Sequence, residues 1–256
     1  MPGEQGAAGL DFFGHLEELR RRLITIFAAF VLAFAAFFAL MDRLMPIVTT
    51  PADRLGIKLY AMAPFEKFAA YMKASALAGA TVTLPVALAL AALFVAPALG
   101  PRWRRLLAPG IAIACLFVLA GVALAWFALV PFAVGFFARF APGDGIESLW
   151  SLASYISLVA GLVAATALVF LTPPLLLALV GSGLVKASTL ARGRRYAIVA
   201  IAVVAGVVTP TVDVVSQVAV GAALWALFEI TLVLCRIIDP EGKRRRAEKE
   251  AIDGQT

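Results

Sequence analysis

Of the 256 residues, 62% are hydrophobic and only 15% are charged, with a net charge of +6. A soluble domain of this length has too little interior to hide so much apolar surface, so lipid must take it. One histidine and two cysteines inside apolar runs, Cys115 and Cys235, make neither a metal-ligand cluster nor a disulfide framework, and no cofactor is expected. No phosphate-cradling glycine loop and no nucleophile–base set occur, which argues against an enzyme and places any energy input elsewhere.

Residues 12–24 read FFGHLEELRRRLI. As a helix they put Phe12, Leu16, Leu19, Leu23 and Phe27 on one face and His15, Glu18 and Arg22 on another. Glu17–Arg21 and Glu18–Arg22 are spaced as i,i+4 pairs with the acid leading, the better orientation. This amphipathic helix, residues 1–22, runs straight into the first span. Two accounts stay open on physics alone: charge neutralised within the collar, or a carboxylate free to bind a cationic ligand. The span that follows is too long for the apolar core of a cleavable leader.

The uncharged runs place six spans, at residues 23–41, 74–96, 109–133, 155–181, 196–210 and 214–235, the last two short. The chain is thus read as all-α and polytopic, with 23–238 as its membrane domain. The segment between the first two spans carries Pro46, Pro51 and Pro64 with Asp42, Asp53 and Glu66, and is long enough to fold as a cap of short helices. Trp126, Trp150 and Tyr155 suit an interfacial aromatic belt. Pro85, Pro109 and Pro131 punctuate the spans, and Pro173–Pro174 should kink or break the fourth near its middle. Kinks of this kind let a bundle curve.

Lysine and arginine number sixteen on the side of both termini and six on the other. The positive-inside rule therefore puts both termini in the cytoplasm. The excess charge is a topology signal and implies no nucleic acid. Glu229 lies inside the last span, about 22 Å from its start at 1.5 Å per residue. An acid there costs about 2.5–3.5 kcal/mol at mid-span, so it pairs, takes a proton, serves function or snorkels to the membrane surface. Asp213, at the turn between the last two spans, either caps the sixth helix or joins Thr209, Ser216 and Gln217 in a polar cluster. The tail, 239–256, is charged and reads as disordered, with Lys243–Arg246 suited to anionic lipid.

HLEELRRRL at 15–23 resembles the amino-terminal signature of the TatC family, the multispanning receptor of the twin-arginine protein translocase. PFEKFAAYMKAS (64–75), FVAPALGPRWRRLLAP (94–109), SYISLVAGL (154–162), RRYAIVAIAVVAGVVTPTVDVVSQ (194–217) and LFEI (227–230) are similar to further stretches of that family, in order. The resemblance implies a concave six-helix bundle in a bacterial inner membrane, possessing no catalytic residues. It implies a subunit that binds twin-arginine signal peptides of folded precursors and exports them on the proton-motive force with TatA-like and TatB-like single-span partners, as a homo-oligomer within a larger complex. By the resemblance Glu18 is the carboxylate for the arginine pair, with His15, Arg20, Phe94, Trp103 and Arg105 around it. Thr209, Asp213, Ser216 and Gln217 edge the site for a partner helix, Glu229 is the intramembrane acid, and Pro51, Pro64 and Glu66 belong to a periplasmic cap. Trp103 stands where the family has a second glutamate, and Leu171 where it has an acid before the proline of the fourth span. An indole offers a guanidinium about 0.5–2 kcal/mol of cation–π attraction, less than a carboxylate fork. Two other readings compete: a scaffold that kept the fold and lost signal recognition, and a solute or proton-coupled transporter using Glu229 and Asp213. No inverted repeat supports the latter.

Overall fold

The computed structural model describes residues 4–95, 107–139, 149–181, 185–208 and 214–238, the side chains of 4–13, 95, 207–208, 214–216, 219 and 238 excepted. In chain order the elements are α1 (Glu4–Ala39), α2 (Met41–Asp53), β1 (Leu59–Tyr60), α3 (Glu66–Val95), α4 (Leu107–Leu124), a π-helical turn (Ala125–Leu129), α5 (Val130–Arg139), β2 (Trp150–Ser151), α6 (Leu152–Phe170), α7 (Thr172–Gly181), α8 (Ala187–Arg192), α9 (Arg194–Val208) and α10 (Val214–Ile238). Among the described residues, five helical stretches are long and apolar enough to cross a membrane: Gly14–Ala39, Glu66–Phe94, Leu107–Arg139, Leu152–Gly181 and Val220–Ile237. The fifth span of the sequence reading is α9, only 15 residues long, whereas α10 runs for 25. The architecture is that of an all-α polytopic membrane protein. It divides into two compact units, Met1–Thr50 with Ala61–Cys115 and Pro51–Tyr60 with Leu116–Thr256.

In the first unit α1 and α3 pack antiparallel. The face of α1 that starts with His15, Glu18 and Arg22 continues as Phe30, Phe34 and Phe38, whose rings follow one another at 6.2 and 6.0 Å, and Phe38 meets Phe68 of α3 edge-on at 5.8 Å. The apolar face, Leu16, Leu23 and Phe27, is exposed. This is the inverse of a soluble helix: lipid accepts the greasy side, and the side carrying polar groups turns to protein. On α3 the contact is close because Gly79 has no side chain; a Cβ there would stand 3.0 Å from the Phe34 amide nitrogen and 3.1 Å from its Cα. Ser75 and Thr83, four residues to either side, are buried.

The first long connection folds as helix α2, with Met41, Met45, Pro51 and Ala52 buried, and as strand β1. Glu66, at the start of α3, is buried, and its Oε2 accepts from the Met62 and Ala63 amides at 2.5 and 3.2 Å. Those two bonds fix the loop entering the helix, and the acid suits the positive end of α3. Tyr71 donates to Asp42 at 2.9 Å, tying α3 to the start of α2.

In the second unit β1 and β2 form a short parallel bridge, Leu59 opposite Trp150 and Tyr60 opposite Ser151. Ser151 then caps α6, accepting from the Ser154 amide at 3.3 Å. Tyr155 does not join an interfacial belt; it is 1% exposed, with its hydroxyl against the Ala52 backbone. The anchoring is to the end of α2, which a belt of lipid-facing rings could not provide.

Two proline devices shape the spans. The π-helical turn ends just before Pro131; the Val130 amide bonds back five residues to Ala125. Pro131 has no N–H for the carbonyl four residues back, and the widened turn accommodates its ring. The fourth span breaks where its proline pair demands. Leu171 separates α6 from α7, its amide bonding to the Leu168 carbonyl at 3.2 Å and to that of Val169, and Pro173 and Pro174 sit in the first turn of α7, where a helix makes no use of the N–H groups they lack.

Phe170, at that break, lies over Gly121 of α4, where an added Cβ would stand 2.8 Å from its Cβ and Cγ. The root of a side chain cannot swing aside. Gly121→Ala is expected to destabilise the protein by about 1–2 kcal/mol, seen as a lowered thermal midpoint in detergent. An unchanged midpoint would mean that α4 and α6 part without cost.

Candidate functional site

Glu18 lies in the amino-terminal half of α1, beside the carboxy-terminal end of α3, because the two helices run antiparallel. Its Oε1 forms an ion pair with Arg22, and its Oε2 lies 3.8 Å from His15 Nδ1. The His15 ring stacks on Phe94 of α3, with centroids 4.2 Å apart and planes 17° from parallel. Arg22 also donates from Nη1 to the Leu90 carbonyl at 3.1 Å, and its guanidinium carbon lies 5.9 Å from the Phe94 ring centre. Leu90 lies near the carboxy-terminal end of α3, where a cation complements the negative end of the helix dipole. The result is a half-exposed carboxylate walled by an aromatic face, an imidazole and a guanidinium. Such a group takes cations, and guanidinium best, through paired charge-assisted hydrogen bonds.

The structure thus brings together His15, Glu18 and Phe94. It does not bring Arg20 to them. Arg20 is 70% exposed and pairs with Glu17, its Nη1 3.2 Å from Oε2. The expected Glu17–Arg21 pair is replaced by this one, since i,i+3 and i,i+4 partners are equally near on a helix. Arg22 was not among the site residues read from sequence, although its spacing from Glu18 marked it as a partner. Phe94's place opposite His15 could come only from the helix pairing. Trp103 and Arg105 lie outside the described residues.

A second charged pair lies in the other unit. Arg194, the first residue of α9, donates from Nη2 to Glu229 Oε2 of α10 at 2.6 Å. The two helices form an antiparallel hairpin, and nearer its turn Gln217 donates to the Ala202 carbonyl at 3.5 Å. Thr209 and Asp213 lie outside the described residues, and Ser216 is on α10 with its side chain outside the description. Behind the hairpin, Val180, Ala187 and Cys235 form a buried cluster flanked by Leu176, Leu177 and Leu190. Cys115 and Cys235 are not joined by a disulfide. Among the described residues, no group of three or more histidine, cysteine, aspartate or glutamate side chains is placed to hold a metal ion.

Residues 14–222 match the family model described as Sec-independent protein translocase protein (TatC). The chain belongs to the TatC family. A relative from Koribacter versatilis, named Sec-independent protein translocase protein TatC, is 29% identical over 98% of this chain and 94% of its own length. The chloroplastic TATC of Arabidopsis thaliana is 34% identical over 86% of this chain and 64% of its own. A crystal structure described as the twin-arginine translocase receptor TatC in DDM superposes with a TM-score of 0.75 at 29% identity, covering 86% of this chain and 98% of that one. This TatC-family chain is therefore a multi-pass membrane protein and a component of a protein translocase, not a classical enzyme. Against the TatC resemblance, Leu171 occupies the break between α6 and α7. The π-helical turn, the clasp of Arg22 on Leu90 and the partner of Glu229 are features that sequence reasoning did not reach.

Proposed function

We propose that this TatC-family chain is the signal-peptide-binding core subunit of a twin-arginine translocase that exports folded proteins, driven by the proton-motive force. Glu18 is the carboxylate for the arginine pair, with His15 and Phe94 as its walls. Trp103 and Arg105, in the following cytoplasmic loop, complete the surface. The subunit sits in a bacterial inner membrane with both termini cytoplasmic, as the lysine and arginine distribution supports. Its domains are the helix 1–22, the membrane domain 23–238 and the tail 239–256, with Pro51, Pro64 and Glu66 in a periplasmic cap. TatA-like and TatB-like single-span partners dock along α9 and α10 near Thr209, Asp213, Ser216 and Gln217, and several copies assemble.

The observation that carries this reading is the half-exposed Glu18 carboxylate beside the Phe94 ring at the end of α1 and α3. The test is photocrosslinking of a precursor bearing a twin-arginine signal to the full chain in membranes. Glu18→Gln should lower the crosslinked yield at least about fivefold, equivalent to ~1 kcal/mol of lost binding. An unchanged yield would remove Glu18 as the contact. A second reading, a scaffold without signal recognition, draws on Leu171 standing at the break of the fourth span with no acid beside it. Complementation of a strain lacking its own TatC separates the two: restored export supports the receptor, failure with normal membrane levels supports the scaffold.

A further inference from the structure

The carboxylate of Glu18 already holds a guanidinium. Arg22 meets its Oε1, the Leu90 carbonyl accepts from the same guanidinium at 3.1 Å, and the Phe94 ring stands 5.9 Å from its carbon. A carboxylate, an in-line carbonyl and an aromatic face are the three groups a guest arginine would seek. Arg22 is held in place: its side chain is 20% exposed, against 70% for Arg20 two residues away. Glu18 Oε2 faces His15, so both carboxylate oxygens have a neighbour.

We propose that Arg22 is a specificity-determining residue, an internal stand-in that occupies the cation site at Glu18 and must be displaced by an arginine of the ligand. The proposal rests on the reading of Glu18 as the signal-peptide carboxylate. Its chemistry is an exchange of like for like. A ligand with one arginine trades one guanidinium on Glu18 for another and gains nothing at that contact, while two cations crowd one acid until Arg22 leaves. A ligand with two adjacent arginines gains a second guanidinium, for the Phe94 and His15 ring faces, once the first has displaced Arg22. Self-occupancy lowers apparent affinity by the fraction of time the site is open. It therefore sets a threshold that a lone arginine does not pass and a pair does. Displacement also breaks the Arg22 bond to Leu90 and loosens the end of α1 from α3, so occupancy of the site is felt in the helix pairing.

The test uses the full chain in detergent micelles and two fluorescent synthetic peptides, one with an Arg-Arg pair and one with Ala-Arg in its place. Arg22→Gln should tighten the Arg-Arg peptide roughly three- to tenfold, the scale on which a half-exposed ion pair competes, and tighten the Ala-Arg peptide by a similar factor, so that a lone arginine reaches the occupancy that only a pair reached before. Arg22→Lys, which keeps a donor for Leu90, should fall between Gln and wild type. An Arg22→Gln protein that melts like wild type and binds the Arg-Arg peptide no tighter overturns the proposal. If Arg22→Gln lowers the melting point, Arg22→Lys decides by the same criterion. Glu18→Gln, run alongside, separates the two levels. Equal binding by Glu18→Gln and wild type removes the Glu18 reading itself. Weakened binding by Glu18→Gln with no tightening by the Arg22 variants removes only the stand-in.

Discussion

Gly79→Leu is expected to cost about 3 kcal/mol or more and to leave the first unit poorly folded. The added side chain would enter where a bare Cβ already meets the Phe34 backbone at 3.0 and 3.1 Å. A backbone cannot rotate away as a side-chain tip can, so α1 and α3 must separate along the contact. Overpacking of a well-filled site costs about 1–3 kcal/mol, occasionally more, and the loss here spreads along the pair. The rings of Phe38 and Phe68 and the bond from Arg22 to Leu90 lie on the same interface and stretch together. Inside a membrane there is little hydrophobic drive to hold helices together, so lost van der Waals contact is not replaced. Gly79→Ala should give a smaller loss of about 1–2 kcal/mol by the same route. Thermal unfolding in detergent and the level of chain retained in membranes both read the effect. Wild-type behaviour of Gly79→Leu would mean that α1 is not seated on α3 as described.

Much of this fold can be read from residues alone, because the membrane enforces a few strong rules. Charge-free runs pointed to six spans, and five helices long and apolar enough to cross a membrane stand among the described residues; the proline pair at 173–174 pointed to the break at Leu171. What sequence could not supply was which helix pairs with which. Glu18 and Arg22 are four residues apart and announce each other. His15 and Phe94, or Arg22 and Leu90, are joined only by the antiparallel packing of α1 on α3. Amphipathic periodicity also needs a changed sign here. The Leu16–Leu23–Phe27 face would be the packing face of a soluble helix but is exposed, and the face with His15, Glu18 and Arg22 carries the contact. The π-helical turn ahead of Pro131 was hidden for another reason. A proline signals that the helix must adjust, not whether it will kink, break or widen.

The same limit applied to Glu229: its expense in a span demanded a partner, and the partner was thirty-five residues back in sequence. That pairing makes an asymmetric pair of substitutions informative. Arg194 opens α9, where the helix dipole is positive and a cation is unwelcome; its Nε is buried without a hydrogen-bond partner. Removing Glu229 leaves this guanidinium charged, because arginine does not release its proton. Glu229→Ala should therefore destabilise more than Arg194→Ala. Breaking a fully buried pair costs about 3–5 kcal/mol. With the side chains 43% and 30% exposed, solvent and headgroups screen part of that, and about 1–3 kcal/mol is expected for Glu229→Ala. The double variant should recover part of the loss, giving a coupling of about 1 kcal/mol in a double-mutant cycle of thermal unfolding. Strict additivity of the two single losses, or a greater loss from Arg194→Ala, would show that the pair does not hold the α9–α10 hairpin.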